Sequence, residues 1–114
     1  MKIKIEIEIT EQQISNWLIT ALEQGNACWA KLDHKKSIYT HTMNPFTEGY
    51  SLVIRDSENN GVLGKVTLNK IKKGIKKFIS ENPKHLKDFL AYGGDSVVAD
   101  MALQYVVLGK VVYC

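Results

Sequence analysis

Residues 1–25 read MKIKIEIEITEQQISNWLITALEQG, and the change of rhythm inside them decides the fold class. Ile3, Ile5, Ile7 and Ile9 alternate with Lys2, Lys4, Glu6 and Glu8. A period of two built on β-branched residues is the pattern of a strand with one apolar and one solvated face. Thr10 and Gln13 then make a T-x-x-Q capping box, with Ile9 and Ile14 placed for the hydrophobic staple around it. Ile14, Trp17, Leu18, Ala21 and Leu22 follow at helical spacing, and Gly25 supplies a left-handed residue to end the helix. A strand that passes directly into an amphipathic helix predicts a mixed α and β domain.

Downstream, the same reading predicts strands at 27–33 (ACWAKLD), 50–56 (YSLVIRD) and 61–68 (GVLGKVTL), the last two joined by a hairpin turn at Asn60-Gly61. Gly64 marks a bulge. Residues 33–50 form a long polar loop studded with Tyr39, Phe46 and Tyr50, with a short strand at 37–41. Asn69 or Thr67 caps a helix carrying Ile71, Ile75, Phe78 and Ile79. Asn82 caps the next, with Pro83 in its first position and Leu86, Phe89 and Leu90 on its buried side. Gly93-Gly94 end it. Asp95 or Ser96 caps a last helix with Val97, Val98, Met101, Ala102, Tyr105 and Val106 inward. Gly109 stops that helix before a terminal strand, KVVYC. The expected fold is α+β: one domain over 1–114, an antiparallel sheet of four to five strands, and four helices packed mainly on one face.

At 114 residues the chain has room for one domain. Hydrophobic residues make up 45% and charged residues 24%, which excludes a disordered or collagen-like chain. No apolar run reaches the roughly 18 residues of a membrane span, so no membrane partner is expected. Lys and Glu interrupt the first ten residues, unlike a secretory signal, and the expected location is intracellular. Cys28 reads as a small buried hydrophobe, while Cys114 is exposed if the terminus frays. Two cysteines with His34, His41 and His85 at no ligand spacing give no zinc motif, and no cofactor is expected.

Charge is unevenly spread. The chain carries 15 Lys and Arg against 12 Asp and Glu, for +3. Between Lys65 and Lys87 there are eight lysines and one acid, Glu81. Lys72, Lys73, Lys76 and Lys77 fall off the apolar stripe of their helix. Such a face attracts phosphate backbones or anionic ligands; equally, it can serve only as a solvated surface. Arg55 is the only arginine, which argues against sequence-specific DNA recognition.

Trp29 packs under a helix or faces a pocket and stacks on a base. Loop aromatics beside Lys35, Lys36 and His41 suit a small anionic aromatic ligand or a protein interface. Asp33-His34 has no nucleophile at a motif spacing, and the phosphate-loop, G-x-S-x-G and H-E-x-x-H patterns are all absent, so no catalytic residue is assigned. Asp100 and Gln104, four apart on one helix face, form a surface pair or read a base edge.

Two stretches carry a resemblance. Ala21-Leu22-Glu23-Gln24-Gly25 followed by Trp29, and Ala99-Asp100, Leu103-Gln104 and Gly109-Lys110-Val111-Val112-Tyr113, resemble segments of small uncharacterised bacteriophage proteins. Cys28 stands where the resemblance places an aromatic. The resemblance implies an anti-defence protein of the host cytoplasm. In that reading a homo-oligomer sequesters a nucleotide-derived signal, such as a cyclic oligonucleotide or a cyclic ADP-ribose-like molecule, without catalysis. Trp29 and Tyr39 would stack on it, Lys35, Lys36, Arg55 and Lys65 would hold its phosphates, and Asp100 and Gln104 would read its base. The alternatives are an inhibitor of a host defence protein acting through loop 33–50, in the manner of anti-CRISPR proteins, and a non-specific nucleic-acid-binding protein using the lysine face.

Overall fold

The helix that opens at Thr10 forms as its sequence dictates. In the computed structural model, which describes residues 1–3, 6–23, 28–40, 42–92 and 95–113, helix α1 spans Glu11–Glu23. The Gln13 amide donates to Thr10 Oγ1 (3.2 Å) and the Thr10 amide donates to Gln13 Oε1 (2.9 Å), so both halves of the capping box are made. Ile14, Trp17, Leu18 and Ala21 are buried. Trp17 also satisfies its indole N–H on the carbonyl of Ala99 at 3.0 Å. Gly25, the expected stop, and Gly93-Gly94, the expected end of a later helix, lie outside the described residues.

The sheet is antiparallel, in the order β1 (Ala30–Leu32), β2 (Leu52–Asp56), β3 (Val62–Val66). It has three strands among the described residues, fewer than the four to five expected. The expected strand at 37–41 contributes only the bridge between Ile38 and Ser51. Residues 1–3 and 6–9 belong to no strand, and neither do residues 110–113. The hairpin between β2 and β3 turns through Asn60, at φ +62°, with Asp56 Oδ1 accepting from the amides of Glu58 and Asn59. The bulge falls next to Gly64 as expected: Ile54 pairs with Gly64 but Arg55 pairs with Val62, leaving Leu63 extra.

Helix α2 spans Leu68–Glu81 and is capped by Thr67, whose hydroxyl accepts from the Lys70 amide, not by Asn69. A 3-10 turn at Pro83–His85 leads into α3, Leu86–Tyr92. Asn82 does not cap that turn with its side chain. Its amide nitrogen donates instead to the Phe78 carbonyl and to the Tyr105 hydroxyl. Helix α4, Ser96–Leu108, is capped by Asp95, which accepts from Val98 N, and ends on Gly109 at φ +81°.

One apolar cluster joins these parts. Leu52, Ile54 and Val66 from the sheet meet Trp17, Leu18, Ile71, Ile75, Phe78, Phe89, Ala99, Ala102 and Leu103 from the helices. Loop 33–50 is anchored by Met43, Pro45 and Tyr50, which are buried, while Ile38 and Phe46 are exposed. Burial pushes the Tyr50 phenol well above its ordinary pKa. At the crossing of α2 and α4, Gly74 lies against Val106. A Cβ at position 74 would fall 2.5 Å from Val106 Cα. Only glycine permits the two helices to approach this closely.

Candidate functional site

Three groups of the expected site residues fall in three different places. The first surrounds Trp29. Its indole N–H donates to Asp100 Oδ1 at 2.7 Å, and its ring stacks on Tyr113 with centroids 5.4 Å apart and planes 5° from parallel. Gln104, 1% exposed, donates to Asp100 Oδ2 and to the Tyr113 carbonyl. Its Oε1 accepts from the amides of Val112 and Tyr113, both at 2.8 Å. Val112 and Tyr113 are therefore held by a side chain of α4 instead of by a neighbouring strand. Trp29, Asp100, Gln104 and Tyr113, from two distant segments, converge on this one network.

This geometry determines what surface Trp29 retains. It is 5% exposed, with Tyr113 against its ring. A cleft of about 370 Å³ beside it is lined by Val97, Asp100, Met101, Val111 and Tyr113. A smaller one of about 180 Å³ adds Asp56 and Glu58. None of Lys35, Lys36, Arg55 and Lys65 lines either cleft. Carboxylates, not cations, stand around the ring. Cys28, expected in the interior, is exposed at the edge of both clefts.

The second group lies along the sheet and the turn after β1. Arg55 Nε donates to Asp33 Oδ2 at 2.8 Å, and its Nη1 donates to the Asn60 carbonyl. Asp33 Oδ1 also accepts from the Lys36 amide at 3.2 Å. The Arg55 hydrogen bond, helped by that amide and by the guanidinium charge, holds the Asp33 carboxyl below its ordinary pKa. Arg55 thus serves to fix the turn at 33–36. Lys35, Lys36 and Lys65 are exposed. Tyr39, half-buried, hydrogen-bonds through its hydroxyl to the His34 ring.

The third group is the lysine face. Lys65, Lys72, Lys73, Lys76, Lys77, Lys84 and Lys87 are all exposed. The Asp33–Arg55 contact is the only ion pair among the described residues, so no carboxylate neutralises these lysines at contact distance. Lys77 donates to the Gly109 carbonyl at 2.6 Å, at the C-terminal end of α4, where the helix dipole favours a cation. Lys70 is half-buried, with its ammonium near Gly64.

Beside this face runs a groove of about 500 Å³, lined by Ile7, Ile9, Phe46, Leu68, Ile71, Ile75 and Ile79, with Lys72 and Lys76 at its edge. No local pattern reveals it, because it forms between the first ten residues and a helix some sixty residues later. The sequence does mark both walls as isoleucine-rich. Among the described residues no three His, Cys, Asp or Glu side chains gather as metal ligands. No helix among them is long and apolar enough to cross a membrane.

Compared with protein-family models, with curated proteins and with solved structures, the chain matches none.

Proposed function

We propose that this chain is a non-catalytic binding protein that engages the phosphate backbone of nucleic acids through the lysine face of α2. One observation carries this reading: the run of exposed lysines from Lys65 to Lys87 has no ion-pair partner among the described residues. An ammonium already paired with a carboxylate has little to gain from a phosphate. A free one displaces condensed counterions, and that release drives binding.

Lys72 and Lys76 are one helical turn apart, and so are Lys73 and Lys77, so the charges run in rows along the helix. Lysine presents a flexible point charge without the fork of arginine. Binding is therefore expected to be blind to base sequence. A membrane surface fits less well. The apolar residues of α2 (Ile71, Ile75 and Phe78) are buried in the protein core. No large exposed hydrophobic side chain stands on α2 to enter a bilayer.

Sequestering of a nucleotide-type signal around Trp29 has less support, because the ring is stacked on Tyr113 and flanked by carboxylates. The test is fluorescence anisotropy with labelled duplex DNA of two unrelated sequences, from 50 to 200 mM salt. The expected result is equal affinity for both and a log–log slope of about −3 to −4, as for roughly four phosphates neutralised. Absence of binding at 50 mM salt would overturn the reading.

A further inference from the structure

The most regular strand pattern in the chain lies in residues 1–9, and its described residues are in no strand. Residues 1–3 and 6–9 pair with nothing in the sheet, and Met1, Ile3 and Ile7 are exposed, Ile3 at 72%. A stretch of alternating isoleucines whose described residues have no sheet partner calls for a partner strand. The order of its charges says which. In MKIKIEIEI the two lysines precede the two glutamates. Two copies laid antiparallel, with residue i opposite residue 10 − i, place Lys2 opposite Glu8, Lys4 opposite Glu6, Ile3 opposite Ile7, and Ile5 on the two-fold axis. Every charged residue then faces its opposite, and every isoleucine on the apolar face meets an apolar residue. Lys4 and Ile5 lie outside the described residues, and their place in the pairing is read from the sequence.

Other registers fail. Sliding by two residues one way sets Lys4 against itself, and by two the other way sets Glu6 against itself. Sliding by one puts apolar residues opposite charged ones. A parallel, in-register pair sets every charge against its like.

We propose that the chain forms a two-fold symmetric dimer through this antiparallel pairing of residues 2–8. The groove favours the same pairing. A two-stranded ribbon needs its apolar face covered. Ile7 and Ile9 already line the groove with Ile71, Ile75 and Ile79. In the paired register the partner's Ile3 lies beside Ile7, and the partner's Met1 beside Ile9. The second copy therefore brings apolar side chains to the open side of the groove. The self-complementary surface is isologous, as a two-fold dimer requires. This inference is independent of the lysine-face reading.

The test is the mass of the full chain by light scattering and sedimentation at 100 μM. Wild type is expected at about twice 12.9 kDa. Lys2→Glu with Lys4→Glu makes the segment uniformly acidic, and Glu6→Lys with Glu8→Lys makes it uniformly basic. Each double variant should be monomeric, with a thermal transition like that of wild type, because the segment lies outside the core. Mixing the two variants should restore the dimer mass. A monomeric wild type, a dimer that survives both reversals, or a mixture that stays monomeric would each overturn the proposal.

Discussion

Helices α2 and α4 cross at Gly74 and Val106, yet the two are built for opposite purposes. Helix α4 is apolar nearly all round: Val98, Ala99, Ala102, Leu103, Tyr105, Val106 and Val107 are buried. Its polar residues Asp100 and Gln104 turn inward to hold Trp29 and the chain end. Helix α2 buries one stripe and gives the rest of its surface to exposed lysines. The comparison teaches how to weigh a polar residue. On α4 the polar groups are used within the fold, with hydrogen bonds to named partners. On α2, Lys77 and Glu81 bond to Gly109 and Tyr105 of the fold, whereas Lys72, Lys73 and Lys76 are exposed without an ion-pair partner among the described residues, which leaves them available to a partner molecule.

The largest expected effect comes from breaking the crossing itself. Gly74→Val would drive a side chain into the Val106 backbone, which cannot rotate away. A loss of about 3 kcal/mol is expected, read as the denaturant midpoint. A midpoint near wild type would mean the helices do not approach as closely as described.

Next is the inward-facing polar residue of α4. Gln104→Ala removes four hydrogen bonds that tie residues 112–113 and Asp100 to the helix. About 2 kcal/mol should be lost, with faster hydrogen exchange at the Val112 and Tyr113 amides. Unchanged exchange at those two amides would show that Gln104 does not hold the chain end.

On α2 the corresponding polar anchor is its cap. Thr67→Ala should cost about 1 kcal/mol, less than Gln104→Ala, since one bond of 3.4 Å is lost. Equal costs would blur the contrast between the two helices. The smallest effect belongs to Asp33. Its native pKa is depressed, so its contribution to stability is fully present above the ordinary carboxylate range and lost as pH falls through the lower native value. The stability difference between wild type and Asp33→Asn should shrink from pH 7 to pH 2. A constant difference would contradict the Arg55 pairing.

Much of this was legible in the sequence because local rules and tertiary structure agree. Thr10 and Gln13, Asp95, Gly109 and the hairpin at Asn60 each act within a few residues. The misreadings arise where a long-range contact decides. The alternation at 1–9 and the β-rich residues 111–113 both spell strand. Among the described residues the first has no strand beside it, and Val112 and Tyr113 of the second are held by Gln104. Cys28 appears apolar by type but sits at an exposed edge. Arg55 reads as a free cation until Asp33, twenty-two residues away, is seen beside it. Gly74 within a helical pattern gives no sign of what it faces until Val106 is placed.

The contrast between the helices is tested most directly by Lys72→Glu with Lys76→Glu. Stability should change by no more than about 0.5 kcal/mol, as for exposed surface sites. In DNA anisotropy at 50 mM salt, affinity should fall at least a hundredfold, and the log–log salt slope should become shallower by about 2. Wild-type affinity and slope in this variant would contradict the assignment of α2 as the binding face.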